Sequence, residues 1–288
     1  MGLAPAEVGA GWVFNVKSKC RVTMTDADIA KMGSARVKRL ADEDGKPCAI
    51  EKEPVSEVEY AFYHNAAPLL AQLGILTPVV KSACYEQRKL VLEYIPEPIQ
   101  QDAVMSDAFL SVLARLHLIE PDSSWTFSTH QWDEAALEGC LALLRLPAQA
   151  ERQFRAMQKH SNVLFEPHCV FSGDTNAGNW GKRENGELVL FDWERFGLGN
   201  PAIDLAPLVK GMGGEEDFRV LARRYCQLNS RFNADVLAKE IALAKTWIVN
   251  EVVLILNARR KPELAQYLGW YWEVLPEWVK NMCFIIKQ

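Results

Sequence analysis

The chain has 288 residues, 49% of them hydrophobic and 24% charged, which is enough apolar material to bury one core in each of two lobes. Its 32 basic and 37 acidic residues leave a formal net charge of −5, which disfavours nucleic acid as a partner. Seven cysteines with no Cys-x-x-Cys pair and five histidines without zinc-site spacing argue against a disulfide framework or a structural zinc, and fit a reduced, cytoplasmic compartment.

Taken in order, the N-terminal MGLAPAEVGAGW has neither the basic nor the apolar zone of a signal peptide, and Ala6 stands where myristoylation needs Ser or Thr. No uninterrupted apolar run reaches membrane-spanning length, so no membrane association is expected. Lys31 to Val37 holds a single glycine between two plausible strands and reads equally as a hairpin or an anion-binding loop. Cys48 to Lys52 follows the turn-rich Asp42 to Pro47 and reads as a short strand ending in lysine. From Val55 to Asn65 the residues Val55, Val58, Phe62 and Tyr63 share one helical face, with Glu59 at its edge and Glu57 pointing away. Leu90 to Ile95 is an apolar strand running into Pro96, and Phe109 to His117 is an apolar helix whose last residue reads as packed rather than catalytic. Farther on, helical spacing runs through Glu215 to Asn229, Ala234 to Ala258 and Pro262 to Met282, where Trp247, Trp270, Trp272 and Trp278 are expected mostly in the core.

The segment with chemical content is SGDTNAGNWGKRENGELVLFDWE, from Ser172 to Glu194. In phosphoryl transfer the protein makes few bonds; it positions the nucleophile and neutralises phosphate charge with metal ions. Two hard oxygen ligands suit magnesium, which keeps several waters, and Asn179 and Asp192 offer them. A separate carboxylate has to take the proton of the attacking hydroxyl, and Asp174 is placed for that role. Leu188 to Phe191 is a strand-length apolar run after the turn Glu184-Asn185-Gly186, so Asp192 falls at a strand end, able to face a cleft.

Gly173-Asp174, Asn179, Asp192-Trp193-Glu194 and the following Gly199-Asn200-Pro201-Ala202-Ile203-Asp204-Leu205-Ala206 together resemble the motifs of the aminoglycoside phosphotransferase and choline kinase-like superfamily. One position departs, since Ser172 stands where that family has His. The resemblance implies an α+β, bilobal protein-kinase-like fold. Residues 1–92 would form a nucleotide-binding lobe of mixed or antiparallel sheet with one helix, 93–98 a hinge, and 99–288 a mainly helical lobe. It implies ATP or GTP and Mg2+ as cofactors. Lys52 would hold the phosphates, with Glu59 as its partner by helix phase. Ser34 would lie in the loop over the phosphates, and the backbone from Glu93 to Ile95 would meet the base. Asp204 would brace the loop that carries Asp174.

The activity implied is transfer of the γ-phosphate to a hydroxyl of a small molecule, such as an aminoglycoside or other antibiotic, an amino-alcohol or a sugar. An amine-bearing acceptor would suit a cleft of aromatics and acids, with Glu194, Glu215, Glu216, Asp217 and Glu251 as candidates. The chain could act as a monomer or a homodimer. Two rivals stand beside this. The spacing Gly197-x-Gly199-x-x-Ala202 resembles a dinucleotide fingerprint, but Pro201 lies within it and no βαβ unit precedes it. A catalytically weak, nucleotide-binding regulator is favoured by Ser172 and the glycine-poor loop and opposed by the intact Asp174, Asn179 and Asp192.

Overall fold

The computed structural model describes residues 35–282; Ser34, and with it Lys31 to Gly33 of the expected phosphate loop, lies outside that range. The described residues divide into two compact units, one comprising 35–55 with Val79–Tyr94 and the other Ser56–Pro78 with 95–282.

In the smaller unit the strands β1 (Arg36–Ala41), β2 (Pro47–Glu53), β3 (Val80–Cys84) and β4 (Lys89–Glu93) form one antiparallel sheet in the order β1-β2-β4-β3. The β1–β2 turn closes because the Asp42 carboxylate accepts the backbone N–H groups of Asp44 and Lys46 and because Gly45 supplies a φ of +80°. Lys52 pairs in register with Val37 on one side and Leu90 on the other. Alternation along a strand puts it on the same face as Leu90 and Leu92, where it is 8% exposed. Glu93 ends β4 tied to Val79 twice, its N–H donating to the Val79 carbonyl and its carboxylate accepting the Val79 N–H.

The larger unit opens with a helical stretch. Ser56 caps it, its hydroxyl accepting the Glu59 N–H at 3.0 Å, and the chain runs through α1 (Glu57–Ala61), a π-helical turn (Phe62–Ala66) and α2 (Ala67–Gln72). This helix outlasts the expected end at Asn65. Pro68 does not break it, because the proline falls at the start of α2, where its missing N–H costs little. The segment groups with the larger unit.

Three short strands, β5 (Glu97–Pro98), β7 (Trp180–Lys182) and β8 (Leu188–Leu190), make an antiparallel sheet, and β6 (Cys169–Phe171) pairs with β9 (Gly197–Gly199). Around them lie α3 (Asp107–Leu116), α4 (Glu134–Leu144), α5 (Ala148–Lys159), the single turn α6 (Ala202–Leu205), α7 (Glu215–Leu228), α8 (Ala234–Ala258) and α9 (Glu263–Asn281). The last three match the helical periodicity closely. By contrast α4 and α5 are not among the elements expected from periodicity, although Asp133 caps α4 by accepting the Ala136 N–H at 2.8 Å.

The helix α8 crosses the middle of the helical core, with Leu237, Ile241, Trp247, Val253 and Leu256 each no more than 1% exposed. By length and composition it could span a membrane, which the count of uninterrupted apolar runs missed because charged residues punctuate it; most of its apolar stretch is buried inside the protein. The tryptophan expectation holds for Trp247 and Trp278, while Trp270 and Trp272 are 37% and 57% exposed. Periodicity placed both on a helix but could not say which face is covered.

Lys245 lies on the buried side of α8, 6% exposed, donating to the Val209 carbonyl at 2.8 Å. Burial without a carboxylate partner lowers its pKa from 10.5 to about 7. Between those values the unfolded chain binds more protons than the native one, so this group makes stability rise with pH from about 7 towards 10.5. Lys245→Met is expected to flatten that rise and to lift the urea midpoint at neutral pH, as urea titrations across the range would show.

Candidate functional site

The site grows from the β7–β8 hairpin. Asn179 immediately precedes β7 and Asp192 lies two residues beyond β8. The Phe191 N–H donates to the Asn179 carbonyl at 2.9 Å, which extends the antiparallel pairing past Trp180 and Leu190. Antiparallel register therefore brings Asn179 and Asp192 to the same end of the hairpin. Asp192 has a φ of +65°, the left-handed region that non-glycine residues occupy at a cost and that clusters at functional sites. Behind it, the buried Trp193 stacks on Phe62 with ring centroids 4.1 Å apart, and Phe196 meets both rings edge-on. Aromatic pairs of this kind contribute about 1 kcal/mol each beyond burial, so the Asp192 turn is pinned from below.

Asp174 is half-buried and held by a local clasp. The Asn176 side chain donates to its carboxylate at 2.6 Å and accepts the Gly178 N–H at 2.8 Å. The Asn179 amide nitrogen donates to the Asp174 carbonyl at 3.0 Å, which leaves the amide oxygen as the atom of Asn179 suited to a cation. Burial raises the Asp174 pKa, opposed by the Asn176 hydrogen bond; the charge of Asp192 raises it further and that of Arg195 lowers it.

The loop is braced from α6. The fully buried Asp204 carboxylate accepts the backbone N–H groups of Ser172 and Gly173 at 2.8 Å each, and the Ser172 hydroxyl donates to it at 3.3 Å. Thr175 adds a short hydrogen bond to the Asp204 carbonyl. Gly173 is required here: its φ is +88°, and a Cβ would fall 2.5 Å from both the Cβ and the carbonyl oxygen of Arg195.

The bracing continues inward. His117 Nε2 lies 3.2 Å from the Asp204 carboxylate and Nδ1 lies 2.7 Å from the Tyr225 hydroxyl, to which Asn229 donates at 3.0 Å. A carboxylate only accepts, so Nε2 carries the proton and the tyrosine donates to Nδ1. His117 is thus the packed residue that the end of its helix suggested, and it serves the loop through Asp204.

Sequence reading missed Arg195 and His130. The Arg195 guanidinium donates to the Gly173 carbonyl at 3.3 Å and to Glu251 at 3.1 Å, and lies over the Trp247 ring. His130 Nε2 meets the Arg195 carbonyl at 2.9 Å; burial, followed by the Arg195 charge, lowers its pKa to about 4, so the ring is neutral and Nε2 donates. Local motif spacing gave no signal for either residue, since their partners are far away in sequence.

Several candidate acids are engaged within the protein. Glu251 pairs with Arg195, Glu215 with Arg219 at 2.7 Å and Glu216 with Arg223, while Asp217 accepts the Gly214 N–H at 2.7 Å at the start of α7. Lys52, Glu93 and Ile95 lie at the places described above or at the chain's passage between the units, and Glu59 is 1% exposed on α1. Among the described residues no group of three His, Cys, Asp or Glu side chains is placed to hold a metal. The oxygens of Asn179 and Asp192 at one hairpin end nonetheless fit magnesium, a hard cation that takes one or two protein ligands and fills its remaining positions with water and phosphate.

The phosphotransferase enzyme family model matches residues 29–238. No curated protein sequence matches the chain. Among solved structures, a choline/ethanolamine kinase family protein from Mesorhizobium loti is 16% identical with a TM-score of 0.59, over 89% of this chain and 92% of that one. A macrolide 2′-phosphotransferase from Brachybacterium faecium is 14% identical with a TM-score of 0.57, over 86% and 91%. The ADP-bound aminoglycoside phosphotransferase APH(2″)-Ib is 17% identical with a TM-score of 0.52, over 89% and 92%. These likenesses establish the α+β kinase-like fold expected from the sequence. With the family model matching well over half of its length, the chain belongs to the phosphotransferase enzyme family.

Proposed function

We propose that the protein transfers the γ-phosphate of ATP or GTP to a hydroxyl group of a small molecule, with Asp174 as the base. The observation that carries this reading is the braced loop. Asp204 holds the backbone at Ser172 and Gly173, and Asn176 fixes the Asp174 carboxylate beside the hairpin end bearing Asn179 and Asp192. Asp174 accepts the acceptor's hydroxyl proton, the hydroxyl oxygen bonds to the γ-phosphorus, and the bond to the β–γ bridging oxygen breaks to release the nucleoside diphosphate. A carboxylate whose pKa is raised by burial is a stronger base for that proton. Asn179 and Asp192 would hold magnesium, which when bound would supply charge neutralisation for the phosphates. Lys52 is assigned to the phosphates, Glu59 to orienting Lys52, and the backbone of Glu93 and Ile95 to the base.

Nucleotide use is supported by the ADP-bound relative and by an AMP complex of a further structural neighbour. The acceptor's class is drawn from compounds named for those neighbours, including choline, ethanolamine, macrolides and aminoglycosides. Glu215, Glu216, Asp217 and Glu251 each have a partner within the protein. The purified protein with Mg2+ and ATP is expected to release ADP in the presence of at least one member of a panel of amino-alcohols, aminoglycosides, macrolides and sugars. Phosphorylated product should appear in equal amount by mass spectrometry. Nucleotide binding without turnover on any of them would favour the regulator reading instead.

A further inference from the structure

The π-helical turn between α1 and α2 carries a group that the reaction described above does not use. Tyr63 is 5% exposed, and its hydroxyl, itself fully buried, has no hydrogen-bond partner among the described residues. A buried phenol without a partner costs stability, so such groups are rare unless a ligand completes them. The position of this one is informative. It sits one turn after Glu59 on the same stretch, and its neighbour Phe62 stacks on Trp193, the residue that follows Asp192. The charges of Glu59 and Asp192 both reach the phenol and, after burial itself, keep its pKa well above the usual value, so it is present as an intact hydroxyl. π-Helical turns recur at functional sites because the extra residue re-aims a side chain.

We infer that Tyr63 is a positioning residue for the metal–nucleotide, its hydroxyl bonding to the hydration shell of the cation held by Asn179 and Asp192; this rests on the metal-binding reading of that pair. A phenol can accept and donate at once. Water bound to a divalent cation is a strong donor, so the hydroxyl accepts from it and remains protonated. The hydroxyl satisfied in this way exists only in the loaded protein.

The test is Tyr63→Phe, which removes the oxygen and keeps the ring. Binding of Mn2+ with ADP, read by calorimetry and by electron paramagnetic resonance of free Mn2+, is expected to weaken about tenfold or more, the range for losing an outer partner of a metal site. ADP binding in EDTA should not change, and the metal-free melting temperature should equal or exceed that of the wild type, because no hydrogen bond is lost there. Mn2+–ADP affinity within twofold of wild type, or a metal-free protein that melts several degrees lower, overturns the assignment. Asp192→Ala measured alongside separates the two levels: if it binds Mn2+–ADP normally, the metal reading fails and the Tyr63 assignment falls with it. If Asp192→Ala loses binding while Tyr63→Phe keeps it, Tyr63 alone is removed.

Discussion

Replacing Asp174 with asparagine is expected to lower turnover by about a hundredfold or more, the range for losing a general base, while leaving nucleotide affinity nearly unchanged. The separation of the two effects follows from the site's construction. The carboxylate oxygen that accepts from Asn176 can be replaced by the amide oxygen of asparagine, so the clasp at 2.6 Å survives. The contacts that set the loop come from backbone atoms of Ser172, Gly173 and Asp174 and do not involve the altered group. What disappears is the ability to take a proton. Steady-state ADP release measured with an accepted substrate, with nucleotide binding followed by calorimetry, decides the matter. Turnover within a few-fold of wild type would take Asp174 out of the base role.

The second large effect is expected at Asp204, and there it is structural first. Asp204→Ala leaves two backbone N–H groups and His117 Nε2 without an acceptor inside the core. Unpartnered buried groups of this kind cost about 1–3 kcal/mol each, so the three together cost about 3 kcal/mol or more. The melting temperature should therefore fall by roughly 6 °C or more at the 2–4 °C per kcal/mol typical of domains of this size. Turnover should fall with it, even in protein that remains folded, because the loop holding Asp174 loses its brace. Tyr225→Phe is the graded control. It removes only neutral hydrogen bonds to His117 and Asn229, and about 1–3 kcal/mol is expected. Equal effects from the two substitutions would mean that the brace does not depend on the carboxylate.

The parts of this architecture that were legible in the sequence are those built from short-range relations. The hairpin that brings Asn179 and Asp192 together needs only a turn at Asn185-Gly186 and two short strands. The helices α7, α8 and α9 announce themselves by spacing, with bounds within a residue or so of those observed. The rest depends on contacts between distant segments. His130 meets the Arg195 carbonyl, Arg195 meets Glu251, and His117 meets Asp204 and Tyr225, with sequence separations of 56–108 residues. Such pairings leave no periodic trace. The π-helical turn was equally hidden: a single extra residue per turn is invisible to a count of every third and fourth position.

Asp204 grips the loop through main-chain N–H groups at 172 and 173, which every residue except proline possesses. The side chain of Ser172 contributes only long contacts, at 3.3 Å to Asp204 and 3.4 Å from the Asp174 N–H. The two hydrogen bonds of the grip thus do not involve the side chain at position 172. Absence of the imidazole that the resembled motif carries at this position therefore leaves both main-chain hydrogen bonds to Asp204 in place.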